Sequence, residues 1–300
     1  MLVTIRENIT LKPYTIFKIG GAANYFIEAK NKEDFLGALR WAEERREKVF
    51  ILGAGSNVLV SDDGFDGLVI KNEAKNLEVG LRTGNPTSLI AESGVSMAEV
   101  VRKSVEAGLS GFEWAIGIPG TIGGSVRGNA GCFGKEMKDV VESVEVFNLK
   151  SGERSTLSAR RCLFGYRDSV FKQQPELIIL SALLKLQGGD PNKNPDKSRE
   201  LVMEYTKKRI AEQDIGVECA GCIFKNPAPE IPAGRLIDSA GLKGYTIGRA
   251  MVSEKHANYF INLGNASARD VKKLIEFVKQ KVFEKYNVHL EEEIQYVGDF

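Results

Sequence analysis

Two glycine-rich segments are the part of this sequence best suited to holding a ligand. The first is Gly53-Ala54-Gly55-Ser56-Asn57. The second runs from Gly117 to Gly131 (GIPGTIGGSVRGNAG) and holds six glycines in fifteen residues. The first invites a dinucleotide-fold reading, but Val58 stands where GxGxxG needs its third glycine. A strand and a turn are expected to follow it, so no helix N-terminus is offered to a pyrophosphate. Alone, it reads equally well as a tight turn. The second segment has more positions free of a Cβ than a structural loop needs, and main-chain N–H groups that must approach an anion closely do need them. Two such loops on separate β-rich elements suit an extended diphosphate cofactor.

Other reactive side chains are sparser. Cys219-Ala220-Gly221-Cys222 is a CxxC, but a zinc site wants a second ligand pair. Neither Cys132 nor Cys162 has a close partner in the sequence, so no metal site is expected, while a reversible Cys219–Cys222 disulfide stays open. Arg167, taken alone, is better explained by a surface salt bridge with Asp168. Glu291-Glu292-Glu293 would ordinarily be a solvated acidic run, yet the apolar residues after it suggest that the chain re-enters the fold there.

The elements that must carry these residues can be read from pattern. Asn31 caps a helix to about Lys48, with Phe35, Leu39 and Ala42 on one face. Lys48–Leu52, Val58–Val60 and Gly67–Ile70 read as strands, the last two separated by the turn-forming Ser61-Asp62-Asp63-Gly64. Ser96 to Glu99 is a capping box opening a second helix that Gly108 closes, with Val95 and Val100 as its hydrophobic staple. Residues 140–149 and 176–186 are predicted strands. The polar, breaker-rich stretch 187–195 reads as a linker. Helices are expected over about 196–214 and 267–285, with a short one ending at Gly241 and strands at 249–253 and 259–263.

The bulk numbers narrow the classes. At 43% hydrophobic, 300 residues can bury a large core in two or three domains. Basic and acidic side chains number 41 and 40, so no basic excess offers itself to nucleic acid. No apolar run opens the chain or reaches the length of a membrane span, and four cysteines fit a reducing cytoplasm. A cytoplasmic protein that binds neither membrane nor nucleic acid is expected; a monomer is the expected state, although composition does not fix it.

The motifs taken in order resemble one family. Tyr14-Thr15-Ile16-Phe17-Lys18-Ile19-Gly20-Gly21, the two glycine segments, Gly165-Tyr166-Arg167-Asp168-Ser169 and Phe224-Lys225-Asn226-Pro227 are similar to segments of the UDP-N-acetylenolpyruvoylglucosamine reductases. So are the 233–244 stretch and Leu290 to Gly298. The resemblance implies an α+β fold: a two-part FAD-binding region of the vanillyl-alcohol-oxidase (PCMH) type over 1–72 and 73–190, then a C-terminal α+β substrate domain over 195–300 whose last strand returns to the active site. It implies non-covalent FAD, NADPH as reductant, and reduction of the enolpyruvyl group of UDP-N-acetylglucosamine enolpyruvate to UDP-N-acetylmuramate in peptidoglycan precursor synthesis. The short linker leaves no room for the tyrosine-bearing insertion of one subclass, so the likeness is to the type II form.

Residue roles follow from the same match. Arg167, Cys222 and Glu293 take the catalytic positions, with Cys222 where the family usually has serine. A thiol, with a pKa of about 8.5, is a stronger acid than an alcohol. Gly53, Ala54, Gly55, Ser56, Asn57, Gly117, Gly120, Thr121, Gly123, Gly124, Asn129 and Ala130 are expected at the flavin. Tyr166, Lys225, Asn226 and His256 are expected at the substrate, with His256 alternatively capping a strand. Lys207, Lys208 and Arg209 could meet phosphates or form a solvated helix face. The competing readings are an FAD oxidoreductase acting on a hydroxy acid or alcohol, and a silent nucleotide-sugar binder.

Overall fold

In the computed structural model, residues 4–82, 85–188 and 195–300 are described. Among the described residues two large clusters of buried apolar side chains stand apart, and the chain divides into two compact units assembled from non-contiguous segments. The first comprises Ile27–Gly53 and Ile70–Arg209 with the chain's opening residues to Ile5; the second comprises Arg6–Phe26, Ala54–Val69 and Ile210–Phe300. Mixed helix and strand in each make the fold α+β.

The first unit is built on a five-stranded antiparallel sheet in the order Arg154–Ser158, Val141–Asn148, Leu177–Lys185, Asn85–Glu92, Leu77–Arg82. The central strand is a nearly continuous apolar run because it is buried along most of its length. The outer strands Arg154–Ser158 and Leu77–Arg82 were not expected from pattern: RSTLS holds one apolar residue, and the alternating LEVGLR is weakened as a strand signal by Gly80. Helix Lys32–Arg45 begins where Asn31 Oδ1 accepts from Asp34 N at 2.8 Å, and stops at left-handed Arg46, short of Lys48. Helix Met97–Glu106 has half of its predicted box: Ser96 Oγ accepts from Glu99 N, with no return bond, while Val95 and Val100 are buried. The expected linker lies largely outside the described residues; its first two, Gln187–Gly188, pair with Leu109–Ser110. Helix Pro195–Glu212 follows, with Val202 and Tyr205 against the first core.

In the second unit, Cys219–Cys222, Tyr259–Asn262, Ala250–Val252 and Thr246–Ile247 form an antiparallel sheet in that order. Helix Ala268–Tyr286 lays Val271, Leu274, Ile275, Val278 and Val282 on the core at three- and four-residue spacing, behind a reciprocal Ser267–Asp270 capping box. The late strand Gln295–Val297 pairs in parallel with Val58–Val60, so the acidic run does re-enter the fold. No helix of the described residues is long and apolar enough to cross a membrane.

Candidate active site

The second glycine segment is not all loop. Residues Ile122–Arg127 form a short helix capped by Thr121, which propensity hid because two adjacent glycines lie inside it. The segment is stitched to the turn before helix Met97–Glu106: Met97 N donates to Gly120 O, Ile122 N to Val95 O and Gly123 N to Ser93 O, all within 3.1 Å. Its glycines have different reasons. A Cβ on Gly123 would stand 2.8 Å from Ser93 Cβ, and one on Gly53 would stand 2.6 Å from Thr121 Oγ1. The protein's own atoms therefore demand those two, and Gly53 packs against Thr121 within the first unit. Gly124 differs: it is exposed, and its Cβ would meet nothing nearer than Thr121 Oγ1 at 3.8 Å. Gly117 is also exposed, with a left-handed backbone (φ 72) beside Arg209 Cδ. Lys71, whose pKa burial lowers, donates its Nζ to Gly53 O.

Residues Gly165 to Asp168 make a four-residue turn closed by Gly165 N to Asp168 O at 2.9 Å. Its third residue, Arg167, is left-handed at φ 54. The Asp168 carboxylate accepts from Ser169 N (2.8 Å) and Gln173 Nε2 (3.1 Å). The Arg167 guanidinium donates from Nη2 to Gly131 O at 3.1 Å and lies over the Tyr166 ring, 5.6 Å from its centroid. Lys172 Nζ donates to Arg167 O (2.6 Å) and Ser169 Oγ to Arg127 O (2.6 Å). Tyr166 is half exposed. Asn129 is fully buried and its side-chain amide is engaged at both ends within the protein. Ala130 and Gly120 are half-buried beside it in the segment.

In the second unit, Gly55 is left-handed (φ 67), and a Cβ there would come 2.4 Å from Tyr14 O; Ile16 N donates to Gly55 O. The opening Tyr14–Ile16 motif and the first glycine segment are thus one interlocked piece. Ala54 and Ser56 are half-buried and Asn57 is exposed. Asn57 Nδ2 donates to Glu293 O at 3.1 Å, and Gln295 N to Asn57 O.

Cys222 follows a bulge. Cys219 opposes Ile261 and Cys222 opposes Tyr259, so three steps on one strand face two on the other, with Gly221 left-handed at φ 69. Glu293 N donates to Ile223 O (2.7 Å) and Lys225 N to Glu291 O (2.8 Å) around a bridge between Phe224 and Glu292. The main chains of Cys222 and Glu293 therefore run side by side. The acidic run is sorted residue by residue: Glu291 pairs with Lys225, and Glu292 with Lys279 at 2.9 Å. Asn226 Oδ1 accepts from Ala233 N and so opens helix Ala233–Ser239. His256 is held below the usual imidazole range by burial, its ring stacks tilted on Tyr259 at 4.4 Å, and its main-chain N donates to Ser253 Oγ. The buried Cys219 thiol is pushed up by desolvation, and Cys162 is pushed up to about 11 by the same cause.

Comparison with known proteins decides the family. Residues 213–297 match the family model described as UDP-N-acetylenolpyruvoylglucosamine reductase, C-terminal domain, and residues 23–158 match that of the FAD binding domain. UDP-N-acetylenolpyruvoylglucosamine reductase of Caldicellulosiruptor bescii is 40% identical over 295 residues, 97% of this chain and 90% of that protein. The enzyme of the same name from Caldanaerobacter subterraneus is also 40% identical, over 97% of this chain and 93% of its own. The chain belongs to the UDP-N-acetylenolpyruvoylglucosamine reductase family. The crystal structure of the reductase from Thermus caldophilus superposes with a TM-score of 0.80 at 32% identity, covering 98% of this chain and 100% of that one.

Family membership makes the glycine geometry interpretable. An interior helical glycine costs about 0.5–1 kcal/mol against alanine, so Gly124 needs a reason that the protein's own atoms do not supply. Exposed main chain with no side chain above it fits a closely approaching diphosphate, and the residues present are suited to FAD. Arg167 falls between the two matched stretches and is tied to the first by Gly131 O. Sequence reasoning missed Asn258, which is 2% exposed. Its amide accepts from Phe224 N and donates to Phe224 O, acting as a bridge partner for the segment that carries Cys222. A lone amide in the run Ala257-Asn258-Tyr259-Phe260 was the available signal.

Proposed function

We propose that this chain reduces the enolpyruvyl group of UDP-N-acetylglucosamine enolpyruvate to UDP-N-acetylmuramate, using FAD and NADPH, in the cytoplasmic synthesis of peptidoglycan precursors. The observation that carries the reading is the likeness to reductases of this one activity along nearly the whole chain. When bound, FAD supplies the hydride that adds to one carbon of the enol ether. The protein's own task is to stabilise the negative charge that builds on the other carbon and the adjoining carboxylate, and to deliver one proton there.

Arg167 supplies a planar fork of donors that suits a carboxylate and its enolate form, held in part by its bond from Nη2 to Gly131 O. Cys222 carries the proton on Sγ. Glu293 takes the remaining catalytic position, on the segment hydrogen-bonded to Ile223 next to Cys222. Lys225, paired with Glu291 here, is the cation that an anionic substrate would compete for. Tyr166, Asn226 and His256 complete the substrate contacts in this reading. Residues 1–72 and 73–190 serve the flavin, 195–300 serve the substrate, and the protein acts as a monomer.

The test is optical. With oxygen excluded, purified protein should be yellow, lose that colour with NADPH alone, and regain it only when the UDP-sugar enol ether is added. A flavin that NADPH cannot bleach, or that a hydroxy acid or alcohol reduces instead, would defeat the reading.

A further inference from the structure

The Asn129 side chain faces the Arg167 turn. Nδ2 donates to Gly165 O and to Glu136 Oε2, each at 2.7 Å, and Oδ1 accepts from Lys138 N at 3.0 Å. Gly165 is the first residue of the turn whose third is Arg167. A non-glycine residue held left-handed persists only where its surroundings over-determine it. Here the constraints come largely from one short stretch: Asn129 grips Gly165, Arg127 O takes Ser169 Oγ, and Gly131 O takes Arg167 Nη2.

We propose that Asn129 is a positioning residue for Arg167, fixing the turn that aims the guanidinium; this rests on the reading of Arg167 given above. Asparagine suits the position on three counts. It donates to a carbonyl and a carboxylate at once, it accepts from Lys138 N, and it tolerates its own left-handed backbone at φ 42.

The test separates this role from mere folding. Asn129→Gly keeps the left-handed backbone and removes only the side chain. Reoxidation of the NADPH-reduced enzyme by substrate should slow by about 10²-fold, the cost of a misplacement on the ångström scale. Flavin content and the rate of reduction by NADPH should stay within about twofold. Asn129→Asp keeps the acceptor and the backbone preference but lacks the donor, and should show the same split. In an Arg167→Lys background, Asn129→Gly should add no further loss, because it acts only through Arg167. Loss of flavin from both Asn129 variants, or full additivity with Arg167→Lys, overturns the proposal in favour of a structural role. Normal reoxidation in Asn129→Gly beside slow Arg167→Lys overturns it while leaving Arg167 in place. Normal reoxidation in Arg167→Lys removes the Arg167 reading and this proposal with it.

Discussion

Alanine at two adjacent helical glycines should act in opposite directions. At Gly123 the new Cβ lies 2.8 Å from Ser93 Cβ and 3.1 Å from Ser93 O. Ser93 has little freedom to yield: its N donates to Leu180 O, its O accepts from Gly123 N, and its Oγ accepts from Asn72 Nδ2 at 2.7 Å. Overpacking of this kind costs about 1–3 kcal/mol, more than the helix-propensity gain returns. At Gly124 the Cβ meets nothing within 3.8 Å, so Gly124→Ala should stabilise the flavin-free protein by about 0.5–1 kcal/mol. A melting shift of about 2–4 °C per kcal/mol makes both effects readable by thermal unfolding of apoprotein. The methyl group at Gly124 should also hold the cofactor away. A tenfold weaker Kd removes about 1.4 kcal/mol of the stabilisation that saturating FAD confers. Gly124→Ala should thus melt higher than wild type without FAD and gain less from its addition, while Gly123→Ala melts lower without FAD. If Gly124→Ala gains as much from FAD as wild type does, Gly124 is not reserved for the cofactor.

Cys222→Ala should slow substrate reduction by roughly 10²–10⁴-fold, the usual contribution of a positioned general acid, while flavin reduction by NADPH stays near wild type. Cys222→Ser should recover much of that activity and lose the alkaline limb at which a thiol donor ionises; normal turnover by Cys222→Ala would move the proton elsewhere. Glu293→Gln should fold, hold flavin and reduce the enol ether slowly, and near-normal turnover would return Glu293 to the solvated run. Because the thiolate is the nucleophile and burial raises the Cys162 and Cys219 thiols, iodoacetamide at pH 8 should label Cys222 before either, as read by peptide mass spectrometry. Burial lowers the His256 pKa, so the unfolded chain binds more protons there once pH falls below about 6.5; stability should drop on that side, and drop less in His256→Gln.

What the sequence disclosed is tied to spacing, and what it hid is tied to contact. Asn31 and Ser96 could be named as helix caps because a cap is local, and both accept from the main chain three residues on. The glycine segments were visible as composition, but composition could not divide Gly123, which answers to Ser93, from Gly124, which answers to no protein atom. It also hid the helix Ile122–Arg127, since adjacent glycines argue against helix unless tertiary bonds such as Gly123 N to Ser93 O hold it. The acidic run is the same case. Nothing in three consecutive glutamates says that the first two have lysines, one of them 66 positions away in the chain.

The residues proposed for chemistry sit where the main chain is least regular, and buried amides are what those places have in common. Arg167 lies in a left-handed turn and Cys222 follows a bulge, so neither segment has a full ladder of neighbours to satisfy its N–H and C=O groups. A buried polar group left unmade costs about 1–3 kcal/mol, which such a segment cannot bear several times over. Asparagine answers this because one side chain presents both a donor and an acceptor in the geometry of a peptide. Asn258 does so for Phe224, two residues after Cys222, and Asn129 donates to Gly165 O, two residues before Arg167, while accepting from Lys138 N. Asn262 does the same for the main chain at Phe17, Gly264 and Ala266. Irregular backbone can then be rigid, which is what a fixed guanidinium and a placed thiol require. A buried asparagine amide closed on irregular main chain beside a reactive side chain is accordingly a mark of positioning rather than of substrate contact.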